Sequence, residues 1–240
     1  MSFSLREHGV DLVLLDIEGT TTPMTFVYDV LFPYARARLL RHLRARAGED
    51  ELRDVLAALR LEWQEDARAG EQPPDWALAD IPAAARYLEW LMDRDRKSPA
   101  LKRIQGEIWE SAFRSGELTG EMFPDVAPSF TRWRAAGVSI AVYSSGSVLA
   151  QKLIFEPLAT SISAYFDTGV GPKKSADSYR RIASELKRPP SKILFVSDAP
   201  DELDAARESG CQILLAVRPG NRDVSGTYES IRSFDDIASG

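Results

Sequence analysis

At 240 residues, with 44% apolar and 28% charged side chains, the chain is long enough for a full hydrophobic core, and its composition excludes a disordered or fibrous protein. A net charge of -6 excludes a general nucleic-acid surface, which needs a dense Lys/Arg field to displace counterions, so any bound phosphate should belong to a small molecule. No apolar run nears the ~20 residues that cross a bilayer, and MSFSLREHGVD at the start lacks the basic opening and apolar centre of a secretion signal, so a soluble cytoplasmic protein without a membrane partner is expected.

The first element is a β-rich apolar run at residues 10–16, VDLVLLD, which ends on Asp16; Glu18 follows in DIEGTTTP. From Thr20 to about Phe123 almost no β-like run occurs, and helical periodicity fills the interval. DELRDVLAALRLEW puts Leu52, Val55, Leu56, Leu59 and Trp63 on one face, and SPALKRIQGEIWESAF does the same with Leu101, Ile104 and Ile108. Between them AGEQPPDWALADIP predicts a loop on Gly70, Pro73 and Pro74. Trp63, Trp76, Trp90 and Trp109 are expected mostly in the core of this segment. The basic stretch around His42, with Arg36, Arg38, Arg41, Arg44 and Arg46, predicts a solvated helix face, because no second His stands at metal-ligand spacing and acidic neighbours are plentiful.

Four further apolar runs follow, at residues 137–145, 163–167, 192–198 and 211–217, continuous rather than alternating, as strands covered on both faces are. Helical patterns separate them. In PDVAPSFTRWRAAG, Val126, Phe130 and Trp133 recur before Gly137, and SADSYRRIASELKR and DELDAARESG supply two more helices, the last ending at Gly210. Cys211, the single cysteine, excludes an intramolecular disulfide and fits core packing. The order predicts an α/β fold: a doubly wound parallel sheet of about five strands with an inserted all-helical cap domain between the first and second. The expected division is residues 1–22 and 122–240 for the core and 23–121 for the cap, with hinges near residues 21–24 and 121–124. Since ligands of such sheets bind beyond the carboxyl ends of the strands, the insertion is expected to act as a lid.

The strand ends carry the chemistry. The first ends in Asp16, the second in Ser144 and Ser145, the fourth in Asp198, and Lys173 lies in the loop after the third. Phosphoryl transfer needs such a set: a carboxylate to attack phosphorus, a second acid to protonate the leaving oxygen and then activate water, and a cation, an ammonium and a hydroxyl to neutralise the phosphoryl oxygens. Side chains at i and i+2 of an extended chain point to one side, which suits Asp16 and Glu18 to the first two roles. The GTTTP that follows lets the backbone turn away.

These motifs resemble the haloacid dehalogenase-like phosphohydrolases, in which an apolar strand leads into DxDGT, here LLDIEGT; a second strand ends in Ser or Thr, here IAVYSS; a Lys follows, here in GPKK; and an acidic strand end closes the set, here LFVSDAPDE. Glu18 stands where most members have Asp. With DVLFPYA, YSSGSVLAQKLIF, FDTGVGPK, SYRRIA and VRPGN, it makes the whole chain similar to the enolase-phosphatases of methionine salvage. The resemblance implies enolisation of 5-methylthio-2,3-dioxopentyl 1-phosphate followed by hydrolysis of the enol phosphate, with one Mg²⁺ held by Asp16, Glu18 and Asp198. It also implies Asp16 as nucleophile and Ser144, Ser145 and Lys173 as holders of the substrate phosphate, Lys173 rather than Lys174 being picked by the register from FDTGVG. Glu18 as acid and base extends the superfamily mechanism. Its carboxylate reaches about 1.5 Å further than that of an Asp, a reach that could serve enolisation as well as hydrolysis.

Rival readings remain at this level. The core motifs fit a phosphatase of another small phosphate ester equally well, whereas a dehalogenase would need neither Mg²⁺ nor an acid at position 18, and a non-catalytic scaffold would not keep every motif position filled. Asp201 and Asp204 read as first-turn helix acids, and Glu202 either as another of these or as a support for the metal ligands. Phe26 and Tyr28 could face the methylthio tail. VRPGN, residues 217–221, has no assigned chemistry. A monomer is expected for a cap-and-core chain of this size.

Overall fold

The computed structural model describes residues 3–76, 80–96, 98–224 and 227–240. The chain forms two units, Met1–Tyr28 with Thr119–Gly240, and Asp29–Leu118.

In chain order the strands of the first unit are β1 (Phe3–Ser4), β2 (Leu12–Leu15), β3 (Ser139–Tyr143), β4 (Ala164–Phe166), β5 (Ile193–Ser197), β6 (Gln212–Ala216), β7 (Ser230–Ile231) and β8 (Ile237–Ala238). Six form a parallel sheet in the order β4-β3-β2-β5-β6-β7, and β1 pairs with β8 in a sheet of two. The expected five strands are thus joined by a sixth, β7. It is only two residues long, too short to register as an apolar run, and the same holds for β1 and β8. All four residues of β2 are buried because helices cover both faces.

Register places the site. Leu15 pairs with both Val142 and Val196, so Asp16 stands level with Tyr143 and Ser197, and Ser144 and Asp198 lie one residue beyond it. Three neighbouring strands therefore end at one edge with their polar residues side by side.

The covering helices are α5 (Val126–Ala135), α6 (Val148–Ile154), α7 (Ala176–Glu185) and α8 (Pro200–Glu208). In α5, Val126, Phe130 and Trp133 are fully buried, and Gly137 (φ 80°) terminates the segment in the left-handed conformation. Tyr179 and Ile182 of α7 and Leu203 of α8 pack with Leu14, Tyr143 and Phe195. The Tyr179 ring meets Tyr143 and Phe195 edge-on at 5.5 and 5.0 Å. Cys211 lies in this cluster, and burial raises its thiol pKa, as core packing requires.

The second unit is helical: after a π-helical stretch (Phe26–Leu31) that begins in the first unit come α1 (Phe32–Ala45), α2 (Asp50–Arg68), α3 (Ile81–Asp93) and α4 (Pro99–Ser115). The loop expected through Pro82 ends at Asp80, whose carboxylate accepts from the Ala83 amide at 2.7 Å and caps α3; residues 77–79 of that loop lie outside the described residues. Pro82 sits in the first turn of the helix, where its missing N–H costs nothing. Trp76 and Trp109 are buried and Trp63 and Trp90 half-buried. His42 is not solvated as expected: it is half-buried, with Nε2 3.1 Å from Glu107 Oε2, and Arg46 and Arg103 converge on the same carboxylate. Arg36 and Arg38 likewise pair with Asp93 and Glu117. Among the described residues, no helix is long and apolar enough to cross a membrane.

Candidate active site

Asp16, the residue after β2, is 3% exposed, and both its carboxylate oxygens are engaged. Lys173 Nζ donates to Oδ1 at 2.6 Å, and the Ser197 hydroxyl lies 3.2 Å from Oδ2. The same ammonium lies 2.6 Å from Glu202 Oε2, and the same hydroxyl 3.0 Å from it. Lys173 and Ser197 thus tie the end of β2 to the first turn of α8. Each Asp16 oxygen keeps a second lone pair.

The loop that presents Lys173 is fixed from its own side. Tyr179 donates to the Lys173 carbonyl at 2.8 Å, Tyr143 to that of Gly171 at 2.9 Å, and Ser178 to that of Pro172 at 2.8 Å. Lys174 points elsewhere and pairs with Asp201 at the surface, 2.7 Å away. Burial alone would push the Lys173 ammonium down, but the carboxylates of Asp16, Glu202 and Glu18 outweigh it and hold its pKa above the ordinary lysine value.

Carboxylates outnumber cations here. Desolvation, and then the charges of Asp16 and Glu202, push Asp198 up to about 7 despite Lys173. Glu202 is also raised, by burial and by Asp16, against the ammonium and hydroxyl that it accepts from. Such a surplus of buried negative charge on oxygen donors fits a hard divalent cation. Among the described residues, no three acidic, His or Cys side chains already stand as a preformed cation site.

Glu18 and Ser144 meet across the strand ends: the Ser144 hydroxyl lies 3.4 Å from Glu18 Oε2 and accepts from the Gly146 amide at 3.0 Å. Ser145 is half-buried beside it. Helix α6 begins at Val148 under a Ser147 cap, and the amides of Gly146, Val148 and Ala150 are taken by Ser144, Asp167 and Ser147. Phe26 is buried and Tyr28 exposed, both in the π-helical turn region after the motif.

After Glu18 the chain reverses at Gly19 (φ 67°). A Cβ there would lie 2.5 Å from Asp198 Oδ2 and 2.8 Å from Asn221 Oδ1, so only glycine fits between them. Sequence reasoning missed Ser197, Arg218 and Asn221. Arg218 Nε donates to the Thr20 carbonyl at 3.1 Å, and Asn221 Nδ2 to that of Gly19 at 2.8 Å. The available signal was positional: VRPGN follows β6 directly, at the edge where the other site strands end.

A profile of haloacid dehalogenase-like hydrolases matches residues 10–210. The chain belongs to these hydrolases. Enolase-phosphatase E1 of Synechococcus elongatus is 49% identical over 95% of this chain and 98% of its own. The Drosophila mojavensis protein of the same name is 43% identical over 95% and 93%, and such likeness places the chain in the enolase-phosphatase branch of the family. Among solved structures, the UTR4 protein of Saccharomyces cerevisiae superposes with a TM-score of 0.78 at 29% identity, over 94% of this chain and 99% of its own.

Proposed function

We propose that this hydrolase enolises 5-methylthio-2,3-dioxopentyl 1-phosphate and then hydrolyses the enol phosphate, the enolase-phosphatase step of methionine salvage. The observation that carries the assignment of roles is the buried Asp16 carboxylate, oriented by Lys173 on one oxygen and Ser197 on the other. Near-full-length likeness to proteins named enolase-phosphatase E1 supports the choice of substrate.

In this reading an Asp16 oxygen attacks phosphorus and the bond to the enol oxygen breaks, leaving an aspartyl phosphate. Glu18 gives its proton to that departing oxygen. Water then attacks the phosphoryl group, Glu18 takes back a proton, and the Asp16–phosphorus bond breaks to release phosphate. Lys173 lies where negative charge gathers around Asp16 and offsets it, and Ser144 and Ser145 hold phosphoryl oxygens. Asp16, Glu18 and Asp198 would hold Mg²⁺, whose charge neutralises phosphoryl oxygens when bound. A small phosphorylated diketone is the only partner this chemistry needs.

The helical segment, inserted in the chain shortly after Glu18, serves as a cap that selects the substrate; of the two aromatic candidates for its methylthio end, Tyr28 is the exposed one and Phe26 is buried.

The test is to supply the diketone phosphate with Mg²⁺ and to follow the ultraviolet absorbance of the enol together with phosphate release. Both signals are expected, with the enol first or concurrent. Phosphate without an enol signal would replace this reading by a simple phosphatase, and silence in both would refute it.

A further inference from the structure

The Glu18 turn leaves two backbone carbonyls for side chains to hold. The amides of Thr20, Thr21 and Thr22 all reach the Ile17 carbonyl, at 3.2, 3.0 and 3.0 Å, and the Gly19 amide donates to the Thr22 carbonyl at 2.8 Å. The Thr21 carbonyl accepts from the Phe123 amide at 3.0 Å. The carbonyls of Gly19 and Thr20 go instead to Asn221 and Arg218.

Both holders are anchored elsewhere. The Asn221 amide nitrogen also donates to the Ala216 carbonyl at the end of β6, at 3.1 Å, which fixes the orientation of the carboxamide. Arg218, 5% exposed, donates through Nη1 to Asp125 Oδ2 at 2.7 Å and to the Arg232 carbonyl at 3.0 Å. Its guanidinium lies 4.7 and 4.5 Å from the ring centres of Phe123 and Phe234. The rigid β6 edge and the C-terminal segment therefore reach Gly19 and Thr20 through these two side chains.

We propose that Arg218 and Asn221 are positioning residues for Glu18: by holding the Gly19 and Thr20 carbonyls they keep its carboxylate at the reacting oxygen. The proposal rests on the reading of Glu18 as acid and base. Neither side chain needs to touch substrate. A turn freed at these two carbonyls could pivot at Gly19, and a displacement of about 1 Å in a proton-transfer group costs up to about 100-fold in rate.

The experiment is a double-mutant cycle on single-turnover phosphate release with Mg²⁺, using the parent, Asn221→Ala, Glu18→Gln and the double variant. Asn221→Ala is expected to slow the chemical step about 10–100-fold with KM changed less than about twofold. In the Glu18→Gln background the same change should cost almost nothing further, because the group it positions is already gone. An equal loss in both backgrounds would overturn the proposal, as would an Asn221→Ala enzyme as fast as the parent. Should Asn221→Ala melt early, Arg218→Lys serves in the same cycle, since it keeps a charge against Asp125 while losing the Nε bond to Thr20. A Glu18→Gln enzyme as fast as the parent would instead overturn the reading of Glu18 itself, which separates the two failures.

Discussion

Replacing Lys173 with Met should reveal how much of the site's order depends on one ammonium. The side chain is 7% exposed and makes two charged contacts of 2.6 Å, to Asp16 and Glu202, so solvent screening is slight. Methionine keeps most of the volume and leaves those carboxylates beside Glu18 and Asp198 without a counter-charge. Removing one partner of a buried pair costs about 3–5 kcal/mol. For a chain of this size, that is a fall in melting temperature of about 6–20 °C. The sign with pH follows from the shifts. A lysine whose folded pKa is raised gives its full stabilisation below its unfolded value of about 10.4 and loses it only as pH rises through the folded one, so at pH 8 the parent has all of it. Asp198, pushed up to about 7, and Glu202, also raised, take up protons on acidification and relieve the surplus that the substitution exposes. Melting curves in a chelator at pH 8 and pH 5.5 read this directly. The deficit should be large at pH 8 and smaller at pH 5.5; an equal deficit at both, or none at pH 8, would refute the electrostatic account.

Two other substitutions test the frame around the site. Gly19→Ala forces a left-handed backbone that costs about 1–2 kcal/mol by itself and drives a Cβ to within 2.5 Å of Asp198 Oδ2. Urea unfolding should show at least the backbone loss and a Mg²⁺ titration weaker binding, whereas a variant matching the parent in both would contradict the close approach. Asp125 is held below the usual carboxylate range: burial opposes this, but the Phe234 amide, Arg218 and Ser233 outweigh it. Its stabilisation should therefore be complete above about pH 4 and vanish as pH falls through the lower folded value. Asp125→Asn should be less stable than the parent at pH 7 with the gap closing below about pH 4, and stability curves that stay parallel throughout would reject the ion pair.

What could be read from the sequence follows from where each signal lives. Asp16, Ser144 and Asp198 announce themselves because each ends an apolar run, and a parallel sheet in register brings such ends to one edge. Glu202 is ambiguous in sequence, since the first turn of a helix favours an acid anyway; only its 2.6 Å contact with Lys173 distinguishes it. Arg218 and Asn221 are marked in the sequence only by their place just after β6, and their task is not marked at all, because they serve backbone carbonyls, which look the same whatever residue carries them. The helix from Ile81 hides behind Pro82, a residue that breaks helices in the middle and favours their first turn. His42 looked solvated because its partner, Glu107, lies on another helix, 65 residues away in sequence.

The proposed chemistry turns on the attack of Asp16 on phosphorus. Asn at this position keeps the shape and removes the nucleophile, and it lowers rather than raises the surplus of negative charge around Asp198. Phosphate release from the diketone phosphate is therefore to be measured with Mg²⁺ for the parent and Asp16→Asn side by side. Steady release is expected from the parent and none from Asp16→Asn at an undiminished melting temperature; substantial phosphate release by a folded Asp16→Asn enzyme would rule out Asp16 as the nucleophile.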